Sequence, residues 1–425
     1  MNTPGSSMKA KIYQPQSIVL PKEIPIHRTF PFKGPNQIDW FDDTIFYDVF
    51  YKHDNSSIIC IGPPLLNLEG VLELREILCN GKQLRYSCAK FLRDHNLIVI
   101  QVPHFLRSEL TVQLSFRFNL FEKVVEISRN HPPVREDRNS FLTLVAIQKD
   151  NPLEWIKDWM HWHKRMHGVR QLVLYDNGSR EYEHDELVDI LYREEEDLQN
   201  VLVNWDFPWT WDGWNRKASW DPWPQIGAMN HCYLKYGDCG WLLSLDIDEY
   251  LVAEDATSLR DYIRQTPGYH LPFKPREVWG IGPEKPLAER SFRDFVWRSR
   301  AWVSPTGRSF WKCACQCNRH LLMGVHGPAT HSIFYEGFGR FRFRSIQAKL
   351  GSLMKRIRQL FNRIIHNHNS PRERFWIYHF ALLGTGWKPN REDRVLYRDK
   401  AYFEAQGVEI IYDDTMIKQA KKHGL

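Results

Sequence analysis

Near residue 140 the spacing of apolar and polar positions changes character. Before it, between residues 38 and 127, apolar residues come in short runs that suit β-strands, at 44–51, 57–61, 97–102 and 110–118. The last of these alternates through Leu110, Val112, Leu114, Phe116 and Phe118, the period of a half-buried strand. Asp54-Asn55 and Asn80-Gly81 are turn signals between the runs. The pattern predicts a small β-rich unit, sandwich-like in form, ending in a polar, proline-containing linker at 129–139. After the change, residues 141–147 read as an apolar strand. Residues 152–167 read as an amphipathic helix carrying Leu153, Trp155, Ile156, Trp159, Met160 and His163 at helical spacing. Gly168 supplies a stop, and 169–175 is the next strand, which makes a strand–helix–strand unit with a parallel crossover. A helix at 185–197, a strand at 200–205, a helix at 225–236 and an apolar run from Trp241 to Leu245 extend it into a doubly wound sheet.

That last run leads directly into Asp246, Ile247, Asp248 and Glu249. Acidic residues at the end of a buried parallel strand lie at the carboxyl edge of the sheet, where open α/β folds bind ligands. Asp246 and Asp248, two apart, can both turn towards one hard cation, and Mn²⁺ or Mg²⁺ held by carboxylates commonly shares its coordination sphere with substrate phosphates. The same acids would also suit a helix N-terminus, where they face the dipole.

Composition adjusts this picture in a few places. The 425 residues are 43% hydrophobic and 25% charged, enough for a sizeable core and more than one domain. A net charge of +6 argues against a general nucleic-acid binder. The first sixteen residues carry no apolar signal-peptide run and read as a disordered tail, and no run approaches the roughly 18 apolar residues of a spanning helix. Eight cysteines without disulfide-rich spacing are expected to be free thiols, and the expected location is cytoplasmic. Between residues 337 and 372 there is no acidic residue, and Ile346, Leu350, Leu353, Ile357, Leu360 and Ile364 recur at helical spacing among arginines and lysines. Such a basic amphipathic segment, 340–365, either packs on the protein or lies on an anionic membrane surface, which would make the protein peripheral at the inner face of a membrane.

Six of the seventeen tryptophans fall between 205 and 223. Their faces can stack on sugar rings, which makes Trp209, Trp211 and Trp214 candidate acceptor-binding residues, or they can pack against another part of the protein. Cys313, Cys315 and Cys317 would share one face of a strand, and strand packing is preferred to zinc because the paired spacing of zinc sites is missing. His163 and His167 have the spacing of a zinc protease but lack the intervening glutamate, so that reading is set aside.

The order of these motifs resembles the glycosyltransferases of family ninety-two and related bacterial, family-two-like enzymes. The residues that carry the resemblance are Glu154-Trp155-Ile156, His163, Gly168-Val169, Tyr175-Asp176-Asn177 with Ser179, Gln225, Asn230, Cys232, Trp241 and the acidic run 246–249. It covers 141–251, with a weaker extension to His379. One departure is Lys149-Asp150-Asn151, where relatives usually carry Lys/Arg-Asn-Glu. The resemblance implies a nucleotide-diphospho-sugar transferase fold of the GT-A type, a Rossmann-like mixed sheet, at 136–336 and 371–425. The basic helical segment 337–370 would interrupt it and the β-rich unit 17–135 would precede it. It implies metal-dependent transfer of a sugar, expected to come from a UDP-sugar, to a hydroxyl of a glycan, glycolipid or other glycoconjugate, with inversion. Asp248 would be the direct metal ligand, Asp246 would be shared between metal and ribose, and His326 and His379 would return to the metal. Lys149, Asp176, Asn177 and Gln225 would line the nucleotide, and Glu289 and Asp294 are the candidates for the base. The competing expectation is a carbohydrate-binding or glycan-assembly protein that keeps the fold without the activity. A nucleotidyltransferase is disfavoured because no glycine-rich phosphate loop precedes the first helix.

Overall fold

The computed structural model describes residues 12–28, 43–88, 95–130, 138–193, 198–208, 223–237, 240–265, 270–280, 289–300, 312–317, 374–380, 400–405, 407 and 409–425, with the backbone of 323–324 and 327–328. The basic segment 337–370 lies outside the described residues. No helix among those described is long and apolar enough to cross a membrane.

The N-terminal part folds as the alternation suggests. One four-stranded sheet contains Asp48–Tyr51, Ser57–Gly62 and Asn96–Gln101, and a second contains Leu74–Cys79, Thr111–Phe118 and Glu122–Ser128. Along Thr111–Phe118 every second side chain, Val112, Leu114, Phe116 and Phe118, enters a shared core with Ile58, Cys60 and Ile100 of the other sheet. Two sheets with facing apolar surfaces are a sandwich.

The rest is built on an eleven-stranded mixed sheet. Its strands, in chain order, are β1 (Ile12–Tyr13), β2 (Leu142–Gln148), β3 (Gln171–Asp176), β4 (Gln199–Asn204), β5 (Trp241–Ser244), β6 (Glu249–Ala253), β7 (His270–Trp279), β8 (Lys312–Gln316) and β9 (Phe375–His379), joined by Trp297–Ser299 and Ile410–Tyr412. The helices α1 (Leu153–His167), α2 (His184–Arg193) and α3 (Trp223–Tyr236) fill the crossovers. Their spatial order begins β1-β4-β3-β2-β5, all parallel, and continues through antiparallel β8 and β7. β6 pairs with β9, which runs beside β7.

Alternation along the buried strands explains why helices cover both faces. Leu142, Leu144 and Ala146 of β2 and Leu172 and Leu174 of β3 pack under α1 and α2. Val145, Val173 and Tyr175 point the other way, towards Ala228, Met229, Cys232 and Tyr233 of α3. The winding reverses between β2 and β5, so the crevice at their carboxyl ends is the topological switch point at which such sheets bind ligands.

Two expectations need correction. The tail expected over the first sixteen residues is ordered from Ile12, where β1 adds to the edge of β4 and Gln16 N–H and the Tyr13 hydroxyl both bond Asp48. Two residues are too few for a period to be read, and the strand exists because β4 and a buried carboxylate supply its partners. The β-rich unit is also less separate than a linker implies, since Tyr47 packs in the same core as α3.

Candidate active site

Leu245 and Ile247, 1% and 4% exposed, anchor the loop that follows β5. Alternation then turns Asp246 and Asp248 outward at the switch point, with side chains 41% and 19% exposed. Gln225, in the first turn of α3, donates from Nε2 to Asp246 Oδ1 at 3.2 Å. Lys312 Nζ, from the first residue of β8, lies 2.9 Å from Asp246 Oδ2 and 3.1 Å from Glu249 Oε2. Glu249 Oε2 in turn accepts the Asp246 N–H at 2.9 Å, which closes a ring around the ammonium. Burial pushes the Glu249 carboxyl up to about 7, against the pull of Lys312. Burial also opposes the charge on Lys312, but the Asp246 and Glu249 carboxylates hold it above the usual lysine range. Lys312 has no signature in the sequence, because its partners arrive only when β8 pairs with β5.

Asp248 faces the neighbouring strand. Its carbonyl accepts the Phe380 N–H at 2.8 Å, and His379 Nε2 lies 3.7 Å from its Oδ2. A carboxylate oxygen and an imidazole nitrogen facing each other, both partly open to solvent, fit a divalent ion that takes its other ligands from phosphate oxygens and water. No group of three His, Cys, Asp or Glu side chains that could hold a metal occurs among the described residues. His326 lies outside the described residues, as do Trp209, Trp211 and Trp214. Trp205 and Trp223, at the ends of the tryptophan stretch, are buried, and Trp205 packs on Tyr47 of the β-rich unit with ring centroids 5.3 Å apart.

Helix α1 holds this acidic loop from behind. Trp159 Nε1 donates to Glu249 O at 2.9 Å, and Trp162 Nε1 donates to Leu251 O at 2.8 Å. His163 Nε2 accepts the Leu251 N–H at 3.2 Å, while His167 Nε2 donates to Leu251 O at 2.6 Å. Gln419 Nε2 completes the series at Ala253 O, 2.6 Å away. The His163/His167 pair that has zinc-protease spacing is therefore a backbone clamp, and burial pushes the His167 pKa down to about 4. Cys313, Cys315 and Cys317 are buried against α3 as packing residues, in line with the strand reading.

The loop after β3 is bonded mostly to itself. Asp176, 3% exposed, accepts from Gln148 Nε2 and from the Ser179 hydroxyl at 2.5 Å. Burial pushes its carboxyl up, with the Ser179 bonds pulling against it. Asn177 Nδ2 donates to Trp205 O at 2.8 Å and Phe207 O at 2.9 Å. Asp150 accepts the Arg180 and Glu181 N–H groups at 2.6 and 3.1 Å, so the departure at 149–151 shapes this same loop. The polar atoms of Asp176 and Asn177 expected at a nucleotide are committed within the chain, and both residues set the loop's form. Lys149 is half-buried at the end of β2.

Residues 289–295 reach the same edge. Trp155 Nε1 donates to Arg290 O at 2.8 Å, Phe292 packs on Tyr250 and Phe295 on Phe380, each at 5.5 Å between ring centroids. Glu289 is exposed there, whereas the Asp294 carboxylate accepts the Ser291 N–H at 3.0 Å in a capping box.

Residues 145–335, a little under half of the chain, match the model of glycosyltransferase family 92. No curated protein matches the chain in sequence. Among solved structures, residues 1–349 of S. aureus TarS are similar at 14% identity and a TM-score of 0.25, over 42% of this chain. The chain spans 47% of that structure, under half its length. The stretch matched to glycosyltransferase family 92 runs from within β2 past β8 and contains both the acidic loop and Lys312.

Proposed function

We propose that the protein transfers a sugar from a nucleotide-diphosphate donor, a UDP-sugar, to a hydroxyl of a glycan or glycolipid, in a metal-dependent reaction that inverts the anomeric carbon. The observation that carries this reading is the Asp248–His379 pair at the switch point, beside an Asp246 whose charge is already balanced by Lys312. Asp248 and His379 would hold Mn²⁺ or Mg²⁺, which when bound neutralises charge on a leaving diphosphate. Asp246, fixed by Gln225 and Lys312 but 41% exposed, keeps lone pairs to accept hydrogen bonds from donor hydroxyls.

In the transfer step the acceptor oxygen attacks the anomeric carbon. The bond from that carbon to the diphosphate oxygen breaks, and the diphosphate leaves with the electron pair. The acceptor's proton passes to a carboxylate. Glu289 suits this role better than Asp294, whose oxygen is engaged in capping. The acceptor would sit at an anionic membrane surface if the basic segment 340–365 binds one, which flotation with anionic vesicles at low salt would decide. The central test is a titration of UDP with Mn²⁺ against the intact protein and Asp248→Ala. Binding that needs the metal and disappears in the variant supports the reading. Absence of metal-dependent binding to the intact protein overturns it and favours a carbohydrate-binding protein without transferase activity.

A further inference from the structure

The neighbouring residues Tyr47 and Asp48 project from the β-rich unit into the catalytic sheet, and each reaches the support of the loop after β3. Asp48 is fully buried. Its Oδ1 accepts the Gln16 N–H at 2.6 Å, and its Oδ2 accepts the Tyr13 hydroxyl at 2.7 Å and lies 2.8 Å from His231 Nε2 on α3. His231 Nδ1 lies 2.6 Å from the Tyr175 hydroxyl. A neutral imidazole satisfies both contacts, with Nε2–H donating to Asp48 and Nδ1 accepting the tyrosine proton, and burial favours that neutral form. Tyr175 is the residue before Asp176. Tyr47 follows a second route: its ring packs 5.3 Å from Trp205 and 4.6 Å from Phe207, the two residues whose carbonyls hold Asn177. The approach depends on Gly227 of α3, where an added Cβ would stand 2.7 Å from the Tyr47 ring.

We infer that the β-rich unit is a working part of the donor site, with Asp48 and Tyr47 as positioning residues that hold the Asp176–Ser179 loop in the shape that receives a nucleotide. The ordinary alternative is a domain seam that only adds stability. A seam needs apolar contact, whereas here a buried carboxylate, an imidazole and a phenol form a chain that ends at the residue before the loop. Two adjacent residues reach Asp176 and Asn177 separately, which a generic seam would not require. The inference rests on the transferase reading for what the loop receives, but not for how the loop is held.

The test separates the two. Tyr175→Phe deletes one hydroxyl from the chain, and Gly227→Ala displaces Tyr47 while adding a residue that helices favour. Amide hydrogen exchange reports the loop directly, at the Ser179, Arg180 and Glu181 N–H groups that Asp176 and Asp150 hold. We expect faster exchange at these amides in both variants, and UDP–Mn²⁺ affinity and donor KM poorer by about tenfold, with kcat and the acceptor KM changed less. Unchanged exchange at these three amides in both variants, at temperatures well below unfolding, would overturn the inference. Equally, a loss of kcat with donor KM intact would reduce the clamp to a seam. If the intact protein binds no UDP with Mn²⁺, the transferase reading fails while the exchange measurement still decides the clamp. Asp48→Asn is a third variant, and should it fail to fold, Tyr175→Phe and Gly227→Ala carry the decision.

Discussion

The ammonium of Lys312 is 3% exposed and stands 2.9 Å from Asp246 and 3.1 Å from Glu249. The residue that organises the acidic loop is therefore a cation on the opposite, antiparallel strand. Replacing it by methionine would leave Glu249 buried beside Asp246 with no positive partner. Removing one member of a buried ion pair costs about 3–5 kcal/mol, and the partial exposure of Asp246 sets the lower end of that range here. Denaturant unfolding of Lys312→Met should show a loss of about 3 kcal/mol, and adding Glu249→Gln should recover part of it. If Lys312→Met unfolds like the parent, the ring of contacts contributes nothing to stability.

His379 should behave differently from Lys312. Its ring is 32% exposed and stands at the edge of the loop, so His379→Ala should leave the melting temperature within a few degrees of the parent. The Mn²⁺ concentration that half-saturates UDP binding should rise about tenfold, as for loss of one ligand contact. An unchanged metal requirement would remove His379 from the site.

Acid should weaken the fold through α1. The His167 pKa falls from its ordinary value of 6.5 to about 4 on burial, so the unfolded chain takes up a proton there before the folded one does. Stability from this residue is complete above pH 6.5 and is lost as pH falls towards 4, in all by about 3 kcal/mol. His163, also pushed down by burial, acts in the same direction. Melting temperatures between pH 7.5 and 4.5 should fall, and His167→Gln, which keeps a donor for Leu251 O, should flatten the slope. An equal slope in parent and variant would refute the assignment.

Gly178 has φ +69°, and a Cβ added there would stand 2.3 Å from the Asp206 carboxylate. Gly178→Ala should cost about 1 kcal/mol or more and weaken nucleotide binding, whereas alanine at Gly70, which has nothing within 4 Å, should do neither. Isothermal titration of UDP with Mn²⁺ against both variants makes the comparison.

Much of the sheet was readable from the chain because its signals are local. The βαβ unit, the stop at Gly168 and the alternation of the strand Thr111–Phe118 each depend on neighbours within a few residues. The acidic loop was readable for the same reason, since Asp246 and Asp248 follow an apolar run. Lys312, Asp48 and His231 were not. Each is an ordinary residue in its own segment and becomes special only through a partner from a distant strand or helix, and no period records such a pairing. Asp176 and Asn177 show the opposite case: their place at the strand end was legible, but their bonds to Gln148, Ser179, Trp205 and Phe207 exist only after the loops meet.

The hydrogen bonds that α1 makes to β6 have a meaning beyond support of the acidic loop. Among the described residues β6 pairs on one side only, with β9. On its other side the carbonyls of Glu249, Leu251 and Ala253 and the N–H of Leu251 meet Trp159, Trp162, His163, His167 and Gln419. A strand left open in this way is a template onto which another polypeptide can add, and here indole, imidazole and amide groups occupy these four positions of it. The tryptophan- and histidine-rich face of α1 is thus also a guard against self-association.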